Sequence, residues 1–344
     1  MSSTEEAGES SALPPSAPIP SPVTERTAET VHTVRLPGYS LAVRRSRAFD
    51  GKLPPALLVH GLGGSSLNWS ALLGEVSGTV AGEAVDLPGF GFSPPPDDGD
   101  YSVSGHARAL VRYLDSAERP ARGPVHLVGN SLGGAVATRV AALRPDLVRT
   151  LTLISPALPE LPPQRSALPT ALLAVPGVAG LFARLSRDWT PERRVGNVLA
   201  LCYGDPSRVD ARAFGAAVEE YRSRQRLPYF WDAMVRSTRG LVDAYTLGGQ
   251  HSLWRQAERV LAPTLLVYGG RDQLVGFRMA RRASAAFRDS RLLELPEAGH
   301  VAMMEYPEAV GAAFRELVAD QARLTASTAA REAAESTHVP PKGD

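Results

Sequence analysis

The chain has 344 residues, 44% of them hydrophobic and 21% charged, with a formal net charge of +1 and a single cysteine. That length accommodates one large α/β domain carrying an insertion. The near-zero charge offers no general attraction to polyanions, so nucleic acid is not an expected partner, and lone Cys202 can form neither an internal disulfide nor a cysteine metal site.

Residues 1–30 are mostly Ser, Pro, Thr, Ala and Glu, with too few bulky apolar groups to offset the entropy of ordering, and read as a disordered tail. Their first residues, Met1-Ser2-Ser3-Thr4-Glu5-Glu6, have neither the basic start nor the apolar run of a secretory signal, so a cytoplasmic protein is expected. From there short apolar runs bounded by Gly and Pro alternate with segments of helical period, the pattern of a mostly parallel sheet flanked by helices. Residues 31–36 and 41–45 are predicted as the two strands of an opening hairpin around Pro37-Gly38-Tyr39. Buried central strands are predicted at 56–60, 125–129, 151–155 and 265–268, and a last strand at 292–295. Helices are expected at 66–76, 103–117, 132–144, 277–287 and 307–323. The core is thus assigned to 31–156 and 246–323. Residues 157–245 lack a strand pattern and read as a helical insertion, and 324–344 read as a second disordered tail.

Within this frame Leu127-Val128-Gly129-Asn130-Ser131-Leu132-Gly133-Gly134 is an apolar strand running through G-x-S-x-G into a helix. Its glycines permit a tight turn that leaves the serine hydroxyl exposed. A serine becomes nucleophilic at neutral pH only beside a base, and the base needs an anion to fix its tautomer. The strand at 265–268 runs into Gly269-Gly270-Arg271-Asp272, which puts Asp272 in a loop at a strand's carboxyl end, where sites in open parallel sheets collect. The last strand leads through Pro296-Glu297-Ala298-Gly299 to His300, the histidine in a late loop; the others fall in or beside the tails, on helix or strand, or beside the insertion. After the strand at 56–60, the glycines of His60-Gly61-Leu62-Gly63-Gly64 let backbone amides turn toward a developing oxyanion. The expected donors are the amides of Leu62 and Leu132, and His60 is read as bonding within its loop.

Through His60-Gly61, the loop Asp86-Leu87-Pro88-Gly89-Phe90-Gly91-Phe92-Ser93, the serine elbow, Asp272 and Gly299-His300, residues 31–322 resemble the α/β-hydrolase superfamily. The resemblance implies the α/β-hydrolase fold with a helical cap at 157–245, and a catalytic triad in the chain order Ser131, Asp272, His300. It implies a structural role for Asp86, and no metal or organic cofactor. Serine at the nucleophile position sets the chain apart from the haloalkane dehalogenases and epoxide hydrolases, which use aspartate there. The expected chemistry is acyl-enzyme hydrolysis of a small to medium apolar carboxylic ester. The elbow is also similar to that of C–C bond hydrolases acting on ring-fission diketones, although those usually carry Trp after the histidine, where Val301 stands here. Acyl transfer to an alcohol or peroxide, and ligand binding without turnover, are the further alternatives.

The insertion is rich in aromatic residues, and Trp189, Tyr229 and Trp231, with Val301, are the candidate substrate-binding residues; internal packing of the cap is the competing explanation. Arg222, Arg224 and Arg226 read as a solvated helix face, with the holding of a substrate carboxylate as the alternative. Residues 167–183 are apolar apart from Thr170, but Pro169, Pro176 and Gly177 interrupt them, so cap helices are expected in place of a span of about 20 residues, with a weak contact to a lipid surface as the alternative. The expected partner is a small apolar molecule, and the sequence leaves the oligomeric state open.

Overall fold

The structure, a computed structural model, describes residues 29–46, 48–246 and 248–337, without the side chains of Gln250 and of the residues beyond Thr328. The tail expected at 1–30 lies outside the described residues apart from Glu29 and Thr30, as does the end of the second tail, 338–344.

Eight strands, β1 (Thr30–Leu36), β2 (Tyr39–Arg45), β3 (Pro55–Val59), β4 (Ala81–Val85), β5 (Val125–Asn130), β6 (Val148–Ile154), β7 (Thr264–Gly269) and β8 (Ser290–Leu295), form one sheet in the order β1-β2-β4-β3-β5-β6-β7-β8. The hairpin β1–β2 is antiparallel and joins β4 antiparallel, whereas β3 to β8 run parallel. Around the sheet lie α1 (Ser70–Glu75), α2 (Val103–Asp115), α3 (Leu132–Leu143), α9 (Leu253–Ala257), α10 (Met279–Ala286), α11 (Ala302–Glu305) and α12 (Pro307–Thr337). Alternation along each strand makes two cores. Leu57, Val59, Leu127, Leu266 and Tyr268 face α2, α3, α9 and α10, and Ala56, Leu58, Val128, Leu265 and Val267 face α1, α11 and α12. This is the doubly covered sheet the apolar runs imply.

Strand β4 was not among the expected strands. Its sequence Ala-Gly-Glu-Ala-Val is buried throughout, but Gly82 and Glu83 hide the apolar run. Glu83 is tolerated inside because Arg45 Nε donates to it at 2.7 Å and the Tyr113 hydroxyl at 2.8 Å. The second departure is α12. The stretch expected to lose order from 324 continues as helix to Thr337. Low apolar content argued for disorder, but Ala, Arg, Leu and Glu are strong helix formers and need no burial to extend a helix already anchored by buried Phe314, Leu317 and Val318. From Ala322 to Thr328 its side chains are exposed.

Between β6 and α9 the described residues form the helices α4 (Leu168–Leu172), α5 (Val178–Leu185), α6 (Pro191–Cys202), α7 (Ala211–Arg224) and α8 (Phe230–Thr246), with no strand. This segment packs on loops at the carboxyl ends of the strands. Arg224 Nη2 donates to Gly63 O at 2.5 Å, Ser65 Oγ meets Glu220, and His300 N donates to Cys202 O at 2.7 Å. Arg224, expected on a solvated face, is buried and paired with Glu220 at 3.2 Å, because the partner that buries it comes from a loop 161 residues away. Leu161, Leu168, Leu172, Val175, Leu181 and Leu185 are exposed on the same segment. No helix among the described residues is long and apolar enough to cross a membrane.

Candidate active site

The elbow is built by close approach. β5 ends at Asn130 and α3 begins at Leu132, so Ser131 alone makes the turn, at φ 53° and ψ −118°. A side chain in this region costs about 1–3 kcal/mol of backbone strain and persists only where its surroundings enforce it. Here they do. A Cβ on Gly133 would stand 2.2 Å from Val59 O, and one on Gly129 would stand 2.4 Å from Gly133 O, so only glycine lets α3 start this close to β3 and β5. Backbone bonds fix the turn on both sides: Ser131 N donates to Ile154 O at 3.2 Å, and Ser131 O accepts from Ala157 N at 2.9 Å.

Asp272 and His300 meet in the loops after β7 and β8. His300 Nδ1 lies 2.9 Å from Asp272 Oδ2, both side chains being almost fully buried. An ionised carboxylate only accepts, so Nδ1 is the donor of this bond, and in the neutral ring the lone pair then stands on Nε2. The other oxygen, Oδ1, accepts from Leu274 N at 2.7 Å and Val275 N at 3.0 Å, which locks the carboxylate plane. Burial pushes the Asp272 carboxyl up, but the His300 ring, the Val275 amide and the neighbouring Ser155 hydroxyl outweigh it and hold the group below the usual carboxylate range. The Ser155 hydroxyl contributes by proximity; it makes no full hydrogen bond.

Asn130 links this pair to the serine. Its Nδ2 donates to His300 O at 2.9 Å and to Ile154 O at 3.0 Å, using both amide protons. The structure thus joins Asp272 to His300 and anchors His300 to the residue beside Ser131. It does not join the Ser131 hydroxyl to the imidazole by a hydrogen bond, a contact that in such sites often tightens only around substrate.

The glycine loop after β3 lies against the elbow. A Cβ on Gly61 would stand 3.0 Å from Ser131 Cβ, so the loop passes directly over Ser131. The amides of Leu62 and Leu132 donate to no acceptor among the described residues. His60 holds the loop: its Nδ1 donates to Gly61 O at 2.7 Å, and its Nε2 accepts from Leu87 N at 3.0 Å. Burial, with Arg224 adding to it, lowers its pKa to about 4, so the ring is a neutral tie. Asp86 is a second tie: Oδ1 accepts from Ser66 N at 2.6 Å and Oδ2 from Phe92 N at 2.8 Å, while burial pushes its carboxyl up.

The candidate substrate residues divide. Trp189 and Trp231 each pack edge-on against Phe182, with ring centroids at 6.0 and 6.3 Å, and Trp231 also meets Phe230 at 5.4 Å, so these ring contacts lie within the helical segment. Val301 is buried in the core formed with α1, α11 and α12. Tyr229 is half-buried and lies near Asp86, burial first and then the Asp86 charge raising its pKa. Sequence reasoning missed three contributors: Asn130, the Cys202 carbonyl and Glu305, whose carboxylate accepts from Gly299 N at 2.7 Å. The available signals were Asn130's place beside Ser131 and an acid five residues after the histidine; for the carbonyl there was none.

A family model described as the alpha/beta hydrolase family matches residues 56–313. The chain is similar to monoacylglycerol lipase abhd6-B of Xenopus laevis, 25% identical over 264 residues that cover 76% of this chain and 74% of that protein. It is similar also to 2-hydroxy-6-oxo-6-(2'-aminophenyl)hexa-2,4-dienoic acid hydrolase of Metapseudomonas resinovorans, 27% identical over 285 residues, 81% of this chain and 89% of that one. Among solved structures, a membrane phospholipase A described as a bacterial virulence factor aligns with TM-score 0.67 over 85% of this chain and 86% of its own at 23% identity, a likeness of fold.

Proposed function

The chain belongs to the alpha/beta hydrolase family and is a hydrolase, and on that premise we propose that it is a cytoplasmic serine hydrolase cleaving small to medium apolar carboxylic esters through an acyl-enzyme. The observation that carries the proposal is the buried His300–Asp272 bond of 2.9 Å, with the His300 carbonyl tied to Asn130 beside strained Ser131. With its Nδ1 proton held by Asp272, His300 Nε2 takes the proton of Ser131 as the hydroxyl attacks the ester carbonyl. The amides of Leu62 and Leu132, unclaimed within the protein, receive the oxyanion. The alcohol leaves with the proton from His300, and water, activated by the same ring, releases the acid. Helices α4 to α8, the cap at 157–245, close the site from above, and of the cap's candidate lining residues Tyr229, near Asp86, has the most direct connection to the site's loops.

A second reading, C–C bond hydrolysis, is favoured by the similarity to the Metapseudomonas resinovorans hydrolase, and the same nucleophile and base serve it. The buried position of Val301 leaves no aromatic group directly after His300 and favours the ester reading. The exposed leucines of α4 and α5, flanked by exposed Arg165 and Arg184, suit a weak docking of the cap on an anionic lipid surface.

The deciding experiment is Ser131→Ala. Labelling by a fluorophosphonate probe and turnover of a nitrophenyl ester should disappear together; retained turnover removes Ser131 from its role. Preferential hydrolysis of a vinylogous diketone by the parent enzyme would select the second reading.

A further inference from the structure

Glu305 is a buried carboxylate with no ion-pair partner among the described residues, a position that is costly unless hydrogen bonds replace water. Its partners are backbone amides from two loops far apart in sequence. Gly299 N donates to Oε1 at 2.7 Å; Gly204 N lies 3.1 and 3.0 Å from Oε1 and Oε2; Asp205 N lies 3.3 Å from Oε2. Gly299 directly precedes His300, and Gly204 follows by two residues the Cys202 carbonyl that accepts from His300 N. The two backbones touch: a Cβ on Gly299 would stand 2.3 Å from Gly204 N, and one on Gly204 would stand 2.3 Å from Glu297 O. Arg208 Nε, also from the helical segment, donates to Glu305 O at 3.1 Å. The histidine is therefore held from the core by Asp272 and Asn130, and from the helical segment by the turn after α6 through Glu305.

We propose that Glu305 is a positioning residue for His300, and that the turn at Cys202–Asp205 is part of the mounting of the base as well as of the cap. The proposal rests on His300 being the general base. Glu305 clamps both loops because both its oxygens accept, Oε1 from Gly299 N and Gly204 N and Oε2 from Gly204 N and Asp205 N; an amide at the same position would turn an N–H toward the Gly204 and Asp205 amides and weaken the hold on the helical-segment loop. The imidazole would then tilt relative to Ser131 while substrate could still enter.

The test is Glu305→Gln, with turnover expressed per fluorophosphonate-titrated site so that unfolded protein does not count. kcat should fall by about tenfold to a hundredfold, the cost of a small misplacement of a reacting group, with KM changed less than about twofold. The downfield proton resonance of the His300–Asp272 bond should broaden. Glu305→Asp, which keeps the charge but is too short to span both loops, should be impaired to an intermediate degree, and it carries the measurement should the Gln variant not accumulate as folded protein. Unchanged kcat per titrated site with a lowered Tm would overturn the proposal in favour of a purely structural role, and so would a raised KM with kcat retained. Full turnover in His300→Ala would remove the base and the proposal with it; parental kcat in Glu305→Gln beside an inactive His300→Ala would remove the positioning role alone.

Discussion

Ser131 occupies a backbone region that suits glycine better than serine, at φ 53°. Replacing it by glycine should relieve strain of about 1–3 kcal/mol while deleting the hydroxyl, so Ser131→Gly should unfold at higher temperature or urea concentration than the parent and be inactive. Calorimetry beside the ester assay checks this, and a Tm at or below that of Ser131→Ala would show that the turn stores no strain. Such a trade is expected where a fold sacrifices stability to expose a reactive group. The residues that could be read in advance are those whose meaning is local: Gly129, Ser131 and Gly133 within five positions, or Asp272 and His300 each closing a strand. Arg224 and Glu305 could not be read this way. Each takes its role from backbone groups roughly a hundred residues or more distant, Gly63 O for one and Gly204 N for the other, and nothing in their immediate neighbours marks that contact.

At the scale of elements, α4 and α5 turn leucines outward with no element among the described residues to cover them. Leu172→Asp combined with Leu181→Asp should leave turnover of a soluble nitrophenyl ester intact. The pair should lower co-flotation with phosphatidylcholine–phosphatidylglycerol vesicles about tenfold, because charged groups replace the apolar contact. Parental binding should grow with the phosphatidylglycerol fraction and weaken with salt. Equal flotation of parent and variant, or none with either, would remove the lipid contact, and a parental dimer split by the same substitutions would assign the face to a second copy. The apolar run itself was plain from 167–183, since leucine, alanine and valine follow one another; which of them face outward depends on how Pro176 and Gly177 break the run into two short helices. Strand β4 shows the opposite difficulty. Its Glu83 looks like a surface residue until Arg45 and Tyr113 close around it.

Over the whole molecule, several histidines are buried as neutral rings. Burial, foremost, lowers the pKa of His60 and His126 to about 4 and of His106 to about 3. In the unfolded chain each titrates near 6.5. Between those values the unfolded state binds protons that the folded state refuses, so the stability these rings contribute is complete above pH 6.5 and is lost as the pH falls toward 4, at up to about 1.4 kcal/mol per unit for each ring. The urea midpoint should therefore drop measurably from pH 7 to pH 5, and the drop should shrink in His126→Phe. A midpoint flat over that range would mean that the rings are protonated in place. The doubly covered sheet follows from alternation along the apolar strands and was legible on that account, whereas the reach of α12 was not, since a polar alanine-rich stretch is compatible with either a coil or a free-standing helix. That reach has a practical side. At 1.5 Å per residue, the turns from the last buried residue, Val318, to Thr337 extend roughly 28 Å, and from Ala322 to Thr328 they do so with exposed side chains. They form a spacer, so a fluorophore or affinity handle fixed to an outer turn of this helix would be held away from the sheet on a stiff arm.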